Sequence, residues 1–537
     1  MRENVQCAAL QAEKTTFGSA GIMIANALDS VKRNHAAMLL IPRGVYHIYA
    51  DDCTAPVICP ANHGFNGFRP TAFFLDEMSD FTLDGQGSTF ILHGVMDFSV
   101  IRNSHHITIR NLTVTYADSC NFQGNVLSSS RERVQIALEN PPVIELHGDT
   151  LMERFRQDYN LITRTLEYMS ETKEIRTGTG DDNFGIPFER LHKSLNNNIL
   201  SLYEVPNPPL VGNTIVFALS RRCGQAFFSE KSKDIVFENI TVHTCYGMAF
   251  IAQKCENLTI RSCCVTPDEG KYWSAGQDAS HFANCRGEIT VESCLFENQL
   301  DDAVNIHGIY TLLEKKEGDR ALVSYPHWQT RGIEIFAAGN TIQFQDQRTQ
   351  KPTGTALVAA VRVLNPVKTI LTLKMGTGFC REGQIVENLS DQPNACIRNN
   401  TFHNNRARGM LIASKGKIEI SGNRFHTNHS AINFESDPLR WFEAGSTKNV
   451  SIHDNFFDDC LQNRVSRAVI DICERPEMPE DYYYHETIAI RHNRFTQEKG
   501  ACVFASSVRN LVFEGNEYQC ETPILAVHSW VNGKKSQ

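Results

Sequence analysis

An eight-residue phrase of alternating apolar residues, closed by a polar corner and one more apolar residue, recurs along this 537-residue chain. It reads ITIRNLTV from Ile107, IVFENITV from Ile235, LTIRSCCV from Leu258 and ITVESCLF from Ile289. Later copies are ACIRNNTF from Ala395, IEISGNRF from Ile418, VSIHDNFF from Val450, IAIRHNRF from Ile488 and LVFEGNEY from Leu511. A weaker one, FTLDGQGS, starts at Phe81. Alternation with period two marks strands rather than helices, and self-similarity every twenty to fifty residues marks stacked coils. The starts at Ile235 and Leu258, Ala395 and Ile418, and Ile488 and Leu511 share one interval, twenty-three; the longer intervals elsewhere leave room for loops. A turn that short holds three short strands and no long helix, which predicts an all-β chain wound as a parallel β-helix. The sixth position of the phrase is Asn400, Asn423, Asn455, Asn493 and Asn516 in the later coils, an internal ladder able to satisfy backbone groups at a bend. Cys263 and Cys294 take that place earlier, as small apolar residues suited to an interior stack.

Two long gaps break the series, one from Ile107 to Ile235 and one from Ile289 to Ala395. The second holds ALVSY, NTIQFQ, TALVAAVRVL and KTILTLKM between turn residues, the pattern of a small β-barrel. The first holds VQIALE, PVIELHG and NTIVFALS and predicts a second barrel-like insertion, with its charged middle, Leu151 to Lys193, unassigned. Residues 18–40 have helical spacing and predict a helix that caps the open end of the coil, whose strand edges otherwise invite aggregation. The expected division is 1–119 for the cap and first coils, 120–222 for the first insertion and 223–310 for the central coils. The second insertion takes 311–390 and the last coils 391–537.

Composition excludes several classes. A formal net charge of −9, with no basic run beyond a short Gly-Lys-Lys near the end, disfavours nucleic-acid binding. No apolar run approaches the roughly 20 residues that span a bilayer. The start, MRENVQCAALQAEK, shows no charged-then-apolar leader, so the expectation is a cytoplasmic protein if the chain is complete, or a secreted or periplasmic one if a leader was removed. The 17 cysteines contain no CxxC pair, which favours reduced interior residues over a zinc site; Cys263 and Cys264 should face opposite sides of a strand. Nothing in the sequence sets an oligomeric state.

The repeat also gathers acids. Asp278 stands one basic interval before the adjacent pair Asp301-Asp302. Counting from the phrases gives one column of Gly247, Asp278, Asp301, Ala407 and Ser430, and a neighbouring column of Met248, Ala279, Asp302, Arg408 and Ala431. Strands of adjacent coils lie about 4.8 Å apart, which predicts Asp278 beside Asp301 and Asp302 near Arg408. Crowded carboxyls disturb one another's ionisation; an exposed polar turn or a calcium site are the competing readings. Glycoside hydrolysis needs such a set, one carboxyl protonated for the leaving oxygen and one ionised to activate water, roughly 6.5–9.5 Å apart when the configuration inverts. A third acid can hold the water or raise the pKa of the proton donor.

The block GQDASHFANCRGEI, 276–289, followed by DDAVNIHG, 301–308, resembles glycoside hydrolase family 110, the exo-acting α-1,3-galactosidases, and the resemblance runs from IPRGVYHI at Ile41 onward. It implies a right-handed β-helix with small inserted barrels and an inverting reaction that needs neither metal nor cofactor. The substrate it implies is terminal α-1,3-linked galactose on group B-type or linear glycans. On that resemblance Asp278, Asp301 and Asp302 are the catalytic acids. Similarity to β-helix polygalacturonases makes Asp301 the expected general acid, with Asp278 and Asp302 holding and deprotonating the water; the reverse division stays open.

Supporting candidates surround this set. His281 is placed to donate to a sugar hydroxyl, and Asn305 and His307 face together either outward to substrate or inward to a polar stack. Arg408 would keep Asp302 ionised. Glu435 and the loop 437–445 contribute Trp441 as a stacking platform for galactose, with Tyr272 and Trp273 as further aromatic candidates. Asp84-Gly85-Gln86-Gly87 reads as a turn rather than a phosphate loop, because no helix follows it. Among other β-helix carbohydrate enzymes, a polygalacturonase-like hydrolase would want Gly-His-Gly after the acidic pair and Arg-x-Lys for a uronate, and neither is found there. A lyase would want a basic residue and often calcium, and a non-enzymatic glycan-binding β-helix would have no use for the acids.

Overall fold

Each repeat phrase folds as two strands around a corner, and a third strand completes the turn. In one coil these are Lys417–Ser421, Arg424–His426 and Ile432–Phe434. Neighbouring coils pair in parallel, Ala395 with Ile418 and Ile418 with Val450, for example. Strands before and after the corner join one 22-stranded sheet, and the third strands form most of a 12-stranded sheet. The computed structural model describes residues 7–9, 19–63, 66–117, 121–155, 158–180, 183–219, 222–374, 378–463, 466–472, 479, 481–497 and 499–536. The opening segment MRENVQCAALQAEK, apart from 7–9, lies outside them.

The corner explains the polar letters of the phrase. Asn111, Asn239, Ser262, Ser293, Asn399, Gly422, Asp454, His492 and Gly515 all have φ between 51° and 64°. That left-handed backbone suits Gly, Asn and Asp and bends the strand sharply. The following residue points inward. Asn423 Oδ1 accepts from the Asn400 backbone N–H at 3.0 Å and from Asn400 Nδ2 at 2.9 Å, while Asn423 Nδ2 donates to Ile397 O at 2.9 Å. Asn455 and Asn493 repeat the pattern. Beside the ladder, Phe296, Phe402, Phe425, Phe457 and Phe495 stack with ring centroids 5.8, 5.3, 5.0 and 4.6 Å apart. Cys263 is buried in the same interior column and Cys264 faces half outward.

The coil is closed at both ends. Helix Ala20–Asn34 starts at Ser19, whose hydroxyl accepts from the Gly21 N–H, and buries Ile24, Leu28 and Val31 over the first coil. It is shorter than the 18–40 expected. His35 turns left-handed, and Met38–Leu40 is a strand paired with Thr82–Asp84. At the far end Trp530–Val531 pairs antiparallel with the exposed Lys534–Lys535, and charged residues there blunt the edge.

Two excursions leave the coil. Six described strands between Thr311 and Asn388 form a closed barrel. Eight described strands between Phe122 and Leu219 form an antiparallel sheet whose end strands, Ile144–His147 and His192–Asn196, approach one another. Its unassigned middle supplies the strands Thr150–Phe155 and Asp158–Tyr168. Among the described residues no helix is long and apolar enough to cross a membrane.

One irregularity corrects the expected acid columns. Glu256 pairs with Arg286, but Leu258 pairs with Ile289, so the later coil carries one extra residue there. Gly287, at φ +70°, lies in that step, and a Cβ on it would stand 2.2 Å from Asn257 Oδ1. Counting back from Ile289 therefore overshoots by one. Backbone bonds from Ala249 to Asp278, Ala279 to Asp302, Ala303 to Arg408 and Gly409 to Ser430 give the true column: Met248, Asp278, Asp302, Arg408, Ser430. Asp278 stands against Asp302 rather than Asp301. Gly287→Ala is expected to cost about 1–3 kcal/mol in chemical unfolding, from left-handed strain and displacement of Asn257. An unchanged stability would show that the step tolerates a side chain.

Candidate active site

Asp278 lies just before the strand Ser280–Ala283, and Asp301-Asp302 just before Val304–Ile309. These turn positions are outside the strict alternation of a strand, so two adjacent acids can face one side. One oxygen from each of the three carboxyls lies within 4.8 Å of the others. They line a pocket of about 490 Å³ and are only 3, 8 and 1% exposed for Asp278, Asp301 and Asp302.

Each acid has different partners. Arg408 grips Asp302 through Nε to Oδ1 at 3.0 Å and Nη2 to Oδ2 at 2.8 Å, and its backbone N–H also donates to Oδ1. Asp301 accepts from Arg406 Nη2 at 3.0 Å and Arg222 Nη2 at 3.4 Å. Asp278 Oδ1 accepts from the Asp302 N–H at 3.1 Å, and its Oδ2 lies 2.7 Å from His281 Nδ1.

The ionisation follows from these surroundings. Burial, then the Asp301 charge, pushes Asp278 up to about 8. Burial also pushes Asp302 up to about 7, with Arg408 pulling against it. Burial works on Asp301 too, but Arg406, Arg222, Arg164 and Arg408 together hold it well below the usual carboxylate range. At neutral pH the cluster therefore combines an ionised Asp301 with a protonated Asp278. By count the three acids offer oxygens to a cation. However, Arg222, Arg406 and Arg408 already supply positive charge at bonding distance, so the donor set suits a divalent ion poorly. A second group, Asp80, His105 and His106, is exposed on the outside of a corner, where the His106 ring bridges Asp80 at 3.0 Å and Asp234 at 3.2 Å.

The other expected residues divide. Asn305, Glu435 and Trp441 line the pocket, and Asn305 Oδ1 is buried with no hydrogen-bond partner among the described residues. The guanidiniums of Arg222 and Arg440 lie 5.7 and 5.4 Å from the centroid of the Trp441 ring. His281 reaches the pocket wall, but both its ring nitrogens are engaged, by Asp278 and by His307, so it supports Asp278 instead of meeting a sugar hydroxyl. His307 lies behind it, its Nδ1 2.7 Å from Gly308 O. Trp273 is not a platform: it is buried with Tyr168, Val216 and Leu300, and Tyr272 packs against that cluster. Sequence reasoning missed Asn62, Arg164, Arg222, Arg406 and Glu443, all on the pocket wall. Glu443 arrives because Glu443–Ala444 pairs with Ile309 and Gly308. Arg406, two residues before Arg408, was within reach of the same counting.

Comparison with known proteins now adds to this geometry. Residues 320–376 match a family described as GLAA-B beta-barrel domain II, and residues 386–529 one described as right handed beta helix region. An α-1,3-galactosidase A of Shewanella woodyi is 27% identical over 498 residues, 91% of this chain and 82% of that one. An α-1,3-galactosidase B of Bacteroides thetaiotaomicron is 28% identical over 523 residues, covering 94% and 84%. The chain is homologous to the α-1,3-galactosidases. This bears out the resemblance read from the Asp278–Gly308 block. The fold is thus a right-handed β-helix with a small closed six-stranded barrel.

Proposed function

We propose that the pocket is the active site of an exo-acting, inverting glycoside hydrolase. Its substrate is terminal α-1,3-linked galactose on group B-type or linear glycans, and its acid and base come from Asp278, Asp301 and Asp302. The observation that carries this reading is a sugar-sized pocket in which three buried carboxyls meet within 4.8 Å, Asp301 and Asp302 gripped by arginines and Asp278 by a histidine. The names of the homologues supply the sugar and linkage. Arg408 anchors Asp302, Asn305 offers an unsatisfied acceptor to a hydroxyl, and Trp441 offers a ring face to galactose.

The electrostatics favour the reverse of the division expected from polygalacturonases. Asp301, gripped by arginines, is the carboxylate, and the proton lies in the Asp278–Asp302 pair. The nearest oxygens, within 4.8 Å, are closer than the roughly 6.5–9.5 Å of two-carboxyl inverting sites. In this reading Asp301 and the ionised member of the Asp278–Asp302 pair hold the water together, while the other member keeps the proton.

Proton NMR of a terminal α-1,3-galactoside during hydrolysis tests the proposal, with β-galactose expected first. Release of α-galactose first would contradict inversion, and binding without release would favour the glycan-binding alternative. The kcat/KM profile is expected to fall as pH rises through about 7 to 8, because the required proton leaves the Asp278–Asp302 pair there. A profile flat to pH 10 would contradict that assignment.

A further inference from the structure

Behind Asp278 runs a line of three hydrogen bonds ending on a carbonyl. Asp278 Oδ2 lies 2.7 Å from His281 Nδ1, His281 Nε2 lies 3.0 Å from His307 Nε2, and His307 Nδ1 lies 2.7 Å from Gly308 O. All three side chains are buried. A carbonyl only accepts, so His307 Nδ1 carries a hydrogen. The remaining two bonds need one hydrogen each, and two arrangements provide them. In the first, His281 Nε2–H donates to His307 Nε2 and Asp278 Oδ2–H donates to His281 Nδ1. In the second, His307 Nε2–H donates to His281 Nε2 and His281 Nδ1–H donates to an ionised Asp278.

We propose that His281 and His307 form a proton relay that shares the proton of Asp278 between its carboxyl and the His307 ring. This rests on the acid–base reading of the cluster and deepens it. Passing between the two arrangements breaks the Asp278 O–H bond as His281 Nδ1–H forms, and breaks His281 Nε2–H as His307 Nε2–H forms. Three hydrogens stay on three bonds, and the buried unit keeps its net charge. Asp278 ends as a carboxylate and His307 as an imidazolium 3.9 Å from Glu443 Oε1, which offsets the new charge. His281 only switches tautomer. Burial, then His307 beside it, holds its own protonation well below the ordinary range, so charge passes through it without resting there. The charged and titratable groups facing the relay are Asp278, Asp301, Glu443, Arg222 and His63. Giving a proton to the leaving oxygen takes one hydrogen out of the unit and leaves it with two hydrogens and one negative charge; that hydrogen returns from solvent as the products leave, so the relay sets where the proton rests and does not itself replace it.

His307→Gln keeps a polar partner for His281 but cannot accept a proton. It is expected to lower kcat about 10²-fold, the lower end of an acid–base contribution, with KM unchanged and the alkaline limb of the pH profile displaced. A profile of unchanged shape, with any loss matching the fraction unfolded, would overturn the relay. Should the variant fold poorly, ¹⁵N NMR of the wild-type histidines decides. The relay requires hydrogen on His307 Nδ1 and on one nitrogen of His281, with both spectra changing through the same pH range as the rate. A bare His307 Nδ1, or histidines indifferent to that range, would overturn it. The NMR needs no turnover, so a wild type that cleaves no galactoside would reject the functional reading while leaving the relay separately tested.

Discussion

Asp301→Asn is expected to lower turnover by about 10²–10⁴-fold, the usual contribution of one acid–base group, while the melting temperature stays near that of the wild type. The fold tolerates the change because Arg406 keeps its bond to Leu300 O and Arg222 its bond to Asn62 O. The amide also offers an acceptor, and Asp278 and Asp302 lose a repelling neighbour. The size of the loss depends on the leaving group in a way that separates the two divisions of labour. If Asp301 is the carboxylate, an aryl α-galactoside with an acidic phenol is expected to suffer as much as a disaccharide. Activity largely retained on the aryl substrate would instead make Asp301 the proton donor. Severe unfolding in this variant would mean that the residue is structural.

Asn423→Ala is expected to cost about 2–6 kcal/mol, because it strands two buried backbone groups at about 1–3 kcal/mol each. The Asn400 N–H loses Asn423 Oδ1, and Ile397 O loses Asn423 Nδ2. Each rung holds the next, so the damage spreads along the coil. Asn516→Ala, at the half-exposed end of the ladder, is expected to cost much less because water reaches its partners. Chemical unfolding of both variants measures the difference. Equal costs would show that the ladder does not stabilise through burial.

The coil was legible because its information is local and repeated. The left-handed corner favours Asn, Asp, Ser or Gly at one position, with His492 the exception, and in the later coils an inward Asn follows it in turn after turn. The acids were legible for the same reason, yet their register slipped by one residue. Gly287 adds a step between Asp278 and the phrase at Ile289, and a count cannot show on which side of a corner an extra residue falls. Arg408 could be placed from its column, which it shares with Asp302. Arg164 and Arg222 escaped because they belong to the inserted sheet and its exit, where no repeat relates them to the coil. His281 and His307 were marked as polar candidates, but alternation does not show that their rings meet each other instead of a sugar. Trp273 illustrates the converse: an aromatic in a lengthened loop packed beneath the insertion, where it buries more surface than a platform would.

The most direct test is a crystal structure of the Asp301→Asn variant with a galactosyl-α-1,3-galactoside bound. The account expects the terminal galactose in the pocket between Trp441 and the acids, with the glycosidic oxygen in hydrogen-bond reach, roughly 2.6–3.2 Å, of a carboxyl of the cluster. A disaccharide seated elsewhere on the coil, with its glycosidic bond remote from all three positions, would contradict it.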